Sequence, residues 1–289
     1  MSAGKKFRDL VKQNPPLHVV GVADGSDALE AERAGFKAIY ASGSQIAASR
    51  GWADIGRIEL YHVVGNVRLI LDSGVQLPLL VDIDTGFEDV AKTIRTIEAE
   101  GVAAVHLEDQ EDLKACGHLP GKHVVSIEAA AARIAKAVSA KNDPDFIVMA
   151  RTDALAVEGM EKTLKRIKAY SDAGADMIFA EAFPDVATYG AVKKAAGGKP
   201  VLANMTEFGK VALKTPQELF AESQGAVDLV LNPLTVYRAQ RQTAAEMYKL
   251  LHAKGTQRGM EERMQPREDF QKLIDYPAQV SRRAELLKK

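Results

Sequence analysis

The sequence predicts an α/β fold, a (β/α)8 barrel of the TIM type with extra helices at its N-terminus and C-terminus. Short apolar runs rich in β-branched residues alternate with longer segments of helical periodicity, and the apolar runs number eight. Most of them are apolar throughout, which is typical of parallel strands covered on both faces. No segment of linker composition lies near the middle, so we expect residues 1–289 to form one domain. Two doubly wound domains of four strands each are the alternative.

The expected elements can be placed in order along the chain. The predicted strands are residues 18–24, 37–42, 77–84, 103–109, 145–152, 177–182, 200–204 and 228–232. The predicted helices are residues 26–35, 88–101, 160–174, 185–197, 215–225 and 236–255, together with one that begins at Ser126. Several end in glycine, and Thr215-Pro216 with Glu218 matches a capping box with proline at the first helical position.

The amino-acid composition argues against several classes of protein and of site. Lys and Arg number 38 against 39 Asp and Glu, so a net charge of −1 gives no support for binding to nucleic acid or to a membrane surface. One cysteine excludes an internal disulfide framework and a cysteine-based zinc site. Neither a secretory signal nor an apolar run of roughly 18–20 residues is evident. We therefore expect a cytoplasmic protein with a small-molecule ligand.

Acidic residues gather where predicted strands end, which is where this fold places its reactive groups. Asp82 and Asp84 are two residues apart at the end of one strand, so their side chains should point to the same side. With Glu108 from the next strand they form an all-oxygen site suited to Mg²⁺. A solvated pair of carboxylates on a loop is the alternative.

The single cysteine lies in a segment that could close over the barrel mouth. Cys116 has Lys114 two residues before it and His118 two residues after it, and both can lower the pKa of the thiol. Gly117 gives the segment conformational freedom, and residues 109–125 have the length of an active-site lid. Burial of a small apolar side chain is the alternative role for Cys116.

Two further groups suit the recognition of anions. Arg151 follows an apolar run, where its guanidinium could bind a carboxylate through two hydrogen bonds. An ordinary salt bridge to Asp153 or Glu181 at the rim is the alternative. Residues 42–44, Ser-Gly-Ser, could hold an oxyanion with backbone N–H groups.

Taken together, these segments resemble the isocitrate lyase/phosphoenolpyruvate mutase superfamily, and within it the branch of the 2-methylisocitrate lyases. The resemblance extends from about residue 19 to about residue 267. The matching motifs are Asp-Ile-Asp-Thr-Gly-Phe at 82–87, His-Leu-Glu-Asp-Gln at 106–110, Lys-Ala-Cys-Gly-His at 114–118, residues 149–159, residues 202–209, Asn-Pro-Leu at 232–234 with Arg238, Thr-Gln at 256–257 and Met-Gln-Pro-Arg at 264–267.

The resemblance implies a Mg²⁺-dependent lyase, with Mn²⁺ as an expected substitute. It also implies a homo-oligomer, a tetramer in which residues 256–289 form a C-terminal helical extension exchanged between subunits. It implies that Asp82, Asp84 and Glu108 hold the metal and that Asp54 is an acid of the same pocket. Expected substrate contacts are Ser42, Gly43, Ser44, Gly117, Arg151, Glu181, Asn204, Thr206, Arg238 and Arg267.

The expected reaction is retro-aldol cleavage of 2-methylisocitrate to pyruvate and succinate, a step of propionate breakdown. Cys116 is the candidate acid for the succinate carbanion, within a loop that includes Lys114 and His118, and Tyr40 or a metal-bound hydroxide is the candidate base. A lyase for another 2-hydroxy dicarboxylate such as 2,3-dimethylmalate, or an oxaloacetate decarboxylase, is the enzymatic alternative. A silent barrel used for binding or assembly is the third, although such a barrel has no reason to keep the metal acids together with Cys116.

Overall fold

A computed structural model of the protein describes residues 1–111, 121–209 and 212–287. Within these residues eight parallel strands pair in sequence order, and β1 also pairs with β8, so the sheet closes into a barrel. The strands are β1 (Leu17–Gly21), β2 (Ala38–Ala41), β3 (Leu79–Asp82), β4 (Ala104–Glu108), β5 (Ile147–Thr152), β6 (Met177–Ala180), β7 (Val201–Asn204) and β8 (Leu229–Asn232). This confirms the predicted (β/α)8 fold, and each strand is shorter than predicted.

The helices surround the barrel and extend it at both ends. They are α1 (Ala3–Gln13), α2 (Gly25–Arg33), α3 (Gly43–Ala48), α4 (Leu60–Leu71), α5 (Val90–Ala99), α6 (Ile127–Ser139), α7 (Leu155–Asp172), α8 (Tyr189–Ala195), α9 (Pro216–Glu222), α10 (Thr235–Lys254), α11 (Arg267–Leu273) and α12 (Tyr276–Leu286). Two short 3-10 turns, Val186–Thr188 and Glu261–Arg263, complete the described elements. The capping box at Thr215 and Glu218 forms as predicted, and α7 is broken at Gly159 (φ 77°).

The core has an inner and an outer layer, because alternate strand residues point into the barrel or outward towards the helices. Val19 belongs to the inner layer, for example, while its neighbour Val20 belongs to the outer layer. The N-terminal helix α1 closes one end of the barrel with the fully buried ring of Phe7. Arg8 secures this helix by donating to the Asp145 carbonyl (2.8 Å) and to the Asp176 carboxylate (2.7 Å).

The C-terminal helices contrast with the rest of the fold. No residue of α10, α11 or α12 is buried in the described chain. Several large apolar side chains of this region are exposed, among them Tyr248, Leu251, Phe270, Tyr276 and Val280. None of the helices in the described ranges is both long enough and apolar enough to cross a membrane.

Candidate active site

A cavity of about 240 Å³ lies at the carboxyl ends of the strands, opposite the end that α1 closes. This end of a (β/α)8 barrel carries the active site in characterised enzymes of the fold. In the described part of the chain the cavity is lined by Tyr40, Ser42, Ser44, Asp54, Asp82, Arg151, Phe179, Glu181, Asn204, Thr206, Glu207, Phe208, Gly209, Leu231, Pro233, Leu234 and Arg238. Charged and hydroxyl groups thus share the cavity with an apolar wall.

Asp82, the last residue of β3, organises the acidic side of the cavity. Its Oδ2 accepts hydrogen bonds from the Gly43 N–H (3.1 Å) and the Tyr40 hydroxyl (3.4 Å), and its Oδ1 accepts from the Asp84 N–H (3.0 Å). A Cβ added at Gly43 would lie 2.9 Å from Asp82 Oδ2 and 3.0 Å from Asp84 Oδ1. Both carboxylates therefore pack against the same glycine at the start of α3.

His106 on β4 links Tyr40 to Asp82. Its Nε2 shares a hydrogen bond of 2.9 Å with the Tyr40 hydroxyl, and its Nδ1 lies 3.8 Å from Asp82 Oδ1. The imidazole also stacks on the Tyr40 ring, with centroids 5.7 Å apart. These contacts place the Tyr40 hydroxyl between an imidazole and a carboxylate, each of which can accept a proton.

Arg151, near the end of β5, is surrounded by three carboxylates. Its Nε and Nη2 donate to both oxygens of Asp153 (2.9 and 3.2 Å). Glu108 and Glu181 each bring one oxygen to within 3.3 Å of the guanidinium. Burial lowers the pKa of Arg151, but the charges of Asp153, Glu108 and Glu181 outweigh it and raise the pKa well above its usual value. The guanidinium is therefore a permanent positive charge that holds acids from three strand ends together.

The remaining wall comes from β7 and α10. Asn204 donates from Nδ2 to both oxygens of Glu181, at 3.3 Å each. Arg238 on α10 lies at the rim, with its Nε 3.7 Å from Glu207 and its guanidinium carbon 5.6 Å from the centre of the Phe208 ring. The side chain of Arg238 is 46% exposed, so its charge is accessible to a ligand entering the cavity.

Backbone strain is concentrated at the same end of the barrel. Asp84 (φ 48°), Ala182 (φ 56°) and Phe208 (φ 59°) follow β3, β6 and β7 and adopt the left-handed conformation that favours glycine. Such conformations are costly and occur preferentially at functional sites. This strain and the paired acids mark the cavity as the candidate active site.

Comparison with known proteins identifies the family of this chain. A family model described as phosphoenolpyruvate phosphomutase matches residues 7–246. A 2-methylisocitrate lyase of Shewanella oneidensis is 47% identical, over 96% of this chain and 94% of that protein. The enzyme of the same name from Salmonella typhimurium is 44% identical, over 95% of this chain and 93% of that protein. The chain belongs to the phosphoenolpyruvate mutase/isocitrate lyase superfamily.

Solved structures of superfamily members agree with this assignment. A 2,3-dimethylmalate lyase superposes with a TM-score of 0.88 at 31% identity, covering 98% of this chain and 96% of that one. A phosphonopyruvate hydrolase in complex with oxalate and Mg²⁺ superposes with a TM-score of 0.85 at 25% identity, covering 99% of this chain and all of that one. The superfamily predicted from the sequence motifs is thereby confirmed.

Ten of the residues predicted for a superfamily active site line the cavity: Tyr40, Ser42, Ser44, Asp54, Asp82, Arg151, Glu181, Asn204, Thr206 and Arg238. Gly43 and Asp84 contact Asp82, and Glu108 contacts Arg151, so these three residues adjoin the cavity wall. Lys114, Cys116, Gly117 and His118 lie outside the described residues. Arg267, the first residue of α11, is exposed and is absent from the cavity wall in the described part of this chain.

The structure gives contacts to residues for which the sequence motifs predicted no role. His106 precedes Glu108 by two positions on β4, so the alternation of a strand places both on the same face and could have identified it. Lys122 is buried, and its Nζ lies 3.2 Å from Asp153 Oδ1. Asp153 forms with Arg151 the salt bridge that the sequence offers as the alternative role of this arginine.

Proposed function

We propose that this chain cleaves 2-methylisocitrate to pyruvate and succinate in a Mg²⁺-dependent retro-aldol reaction. The observation that carries the proposal is the identity of 47% and 44%, over almost the full length, with proteins called 2-methylisocitrate lyase. Reactive groups of the motifs predicted for this reaction, such as Tyr40, Asp82 and Arg151, line one cavity.

The residues at the end of β3 fit a magnesium ion. Asp82 and Asp84 are buried beside Gly43, and the absence of a side chain at this glycine leaves room for both carboxylates. Among the described residues no three His, Cys, Asp or Glu side chains form a ready metal cluster. Mg²⁺ usually keeps several waters and needs one or two carboxylates, so Asp82 and Asp84 would suffice, with Glu108 nearby.

The chain's own groups can be assigned to the other parts of the reaction. Tyr40 can take the proton of the substrate hydroxyl if it passes its own hydroxyl proton to His106 Nε2 or Asp82 Oδ2, both of which contact its oxygen. Arg238 at the rim can bind a substrate carboxylate. Cys116 would donate the proton that completes succinate, as the sequence motif implies. A bound Mg²⁺ would supply the positive charge that stabilises the oxygen of the nascent 2-oxo acid.

The guanidinium of Arg151 is better suited to holding the surrounding carboxylates in place than to binding the substrate without them. Its guanidinium already contacts Asp153, Glu108 and Glu181. A substrate carboxylate would therefore join an existing cluster, and the position of the guanidinium would decide how well it is bound.

A turnover assay tests the proposal. Purified protein should release pyruvate from 2-methylisocitrate in the presence of Mg²⁺, release little product from isocitrate, 2,3-dimethylmalate or oxaloacetate, and lose activity in excess EDTA. Full turnover in EDTA would contradict the metal requirement. Faster cleavage of 2,3-dimethylmalate would favour the second candidate, which the structural likeness to 2,3-dimethylmalate lyase supports.

We also propose that residues 256–289 are exchanged between subunits of a homotetramer. The exposed apolar side chains of α10 to α12 support this, because a contiguous apolar surface is usually covered in an assembly. Exchange would also explain why Arg267, a predicted substrate contact, lies away from the cavity of its own chain, since it could reach the cavity of a neighbour.

A further inference from the structure

Asp109 is the centre of a buried hydrogen-bond network behind the candidate active site. It follows β4 and is 1% exposed. Its Oδ1 accepts the Asp153 N–H (2.9 Å), and its Oδ2 accepts the hydroxyls of Thr152 and Tyr170, both at 2.7 Å. Burial raises the pKa of Asp109, and these three hydrogen bonds act in the opposite direction. Among the described residues, these three donors come from β5, from the residue after it and from α7.

One side of the network leads to the cavity. The Asp153 backbone is fixed by Asp109, and the Asp153 carboxylate makes the two-oxygen contact that orients Arg151. The Asp153 carboxylate also forms a salt bridge with Lys122. Lys122 lies two residues before Val124, which forms a short antiparallel bridge with Gln110. A displacement of Asp153 would therefore move two cations at once.

The other side of the network is anchored in the outer helix α7. The Tyr170 hydroxyl accepts a hydrogen bond from Arg166 Nη1 (3.0 Å) while it donates to Asp109. Arg166 is 2% exposed and is itself held by both oxygens of Glu158, at 2.7 and 2.9 Å. Arg166 Nη1 lies 3.7 Å from Asp109 Oδ2, beyond hydrogen-bond distance. The Tyr170 hydroxyl thus bridges the gap between the arginine and the aspartate.

We infer that Tyr170 is a positioning residue for the reaction, which acts through Asp109 and Asp153 to fix the Arg151 guanidinium. Arg151 has three carboxylates within 3.3 Å, so its orientation depends on which of them is held most rigidly. Asp153 makes the shortest contact, and its rigidity comes from Asp109. Without the Tyr170 hydroxyl, Asp109 Oδ2 would lose one of its two donors, and Arg166 would be drawn towards it. This inference rests on the proposed function for its kinetic test.

The experiment removes the hydroxyls one at a time. Tyr170→Phe and Thr152→Val each delete one hydrogen bond to Asp109 Oδ2 with little change in volume. Ser171→Ala is the matched control, because Ser171 is the next residue on α7 and its hydroxyl donates to the Ala196 carbonyl, outside the network (2.9 Å). For each variant we would measure the thermal midpoint, kcat and KM on 2-methylisocitrate well below that midpoint, and solve a crystal structure of Tyr170→Phe.

We expect kcat to fall roughly tenfold in both network variants, the scale of losses when a supporting hydrogen bond is removed from a site. Ser171→Ala should change the midpoint alone. In the Tyr170→Phe crystal the Arg151–Asp153 contact of 2.9 Å should be lengthened or replaced by one to Glu108 or Glu181. Wild-type kcat and KM in both network variants, or an unmoved Arg151 in the crystal, would overturn the inference. An inactive wild type would instead overturn the proposed function, and the crystal structure would still decide the role of Tyr170.

Discussion

The close packing of Gly43 against two carboxylates leads to a strong prediction for Gly43→Ala. The added methyl group would lie 2.9 Å from Asp82 Oδ2 and 3.0 Å from Asp84 Oδ1, where ordinary contact begins at 3.4 Å. Each oxygen must therefore move by about half an ångström. Asp82 cannot move alone, because it accepts hydrogen bonds from the N–H groups of Gly43 and Asp84. We expect a loss of about 1–3 kcal/mol in the free energy of unfolding, as for other overpacked sites.

The functional loss should be larger than the loss of stability suggests, because the displaced groups are the proposed magnesium ligands. We expect the Mg²⁺ affinity and kcat to fall about 10- to 100-fold, measured by titrating the initial rate with Mg²⁺ and by calorimetry. Gly65→Ala on α4 is the control, since among the described residues no atom outside its own stretch of helix lies within 4 Å of its added Cβ. It should keep full activity and gain up to about 1 kcal/mol from helix propensity. Wild-type Mg²⁺ affinity and turnover in Gly43→Ala would refute the assignment of these acids to the metal.

Two other predictions concern Cys116 and the C-terminal residues 256–289. Cys116→Ser should reduce kcat by about 10²–10⁴-fold and leave KM nearly unchanged, because a hydroxyl is a much weaker acid than a thiol. Steady-state kinetics would measure both constants. A near-normal kcat would show that Cys116 is not the acid and would make His118 the next candidate. Light scattering at micromolar concentration should give the mass of a tetramer, and removal of residues 256–289 should dissociate it; a monomeric full-length chain would contradict subunit exchange.

The fold could be predicted from the sequence because each strand of a parallel barrel carries its own apolar signal. The helix α4 was not predicted, since its Val63-Val64 pair and Gly65 are poor helix formers. In the structure α4 gains its stability from burying Val63, Val67 and Ile70 on one face. Local propensity is thus overruled by packing that no short segment reveals.

The sequence could predict the part of the site that lies at the ends of the strands. Asp82 and Asp84 do converge, although not as two residues of one regular strand, because β3 ends at Asp82 and Asp84 follows with φ at 48°. The contact between Lys122 and Asp153 could not be predicted, since it joins residues that are 31 positions apart in the sequence. Contacts of this kind are set by tertiary structure alone.

The charges of the buried side chains around the cavity predict the order in which Mg²⁺ and the substrate bind. Among the described residues five buried carboxylates gather there and two buried cations, Arg151 and Lys122, accompany them. The carboxylates are those of Asp82, Asp84, Glu108, Asp153 and Glu181. A tricarboxylate entering this excess of negative charge would be repelled in a region of low dielectric constant. A divalent cation bound first would reverse much of that repulsion, so 2-methylisocitrate should bind weakly without Mg²⁺, whereas Mg²⁺ should bind without substrate. Calorimetric titrations in both orders would measure this, and equal substrate affinity with and without Mg²⁺ would show that the metal acts on the chemical step alone.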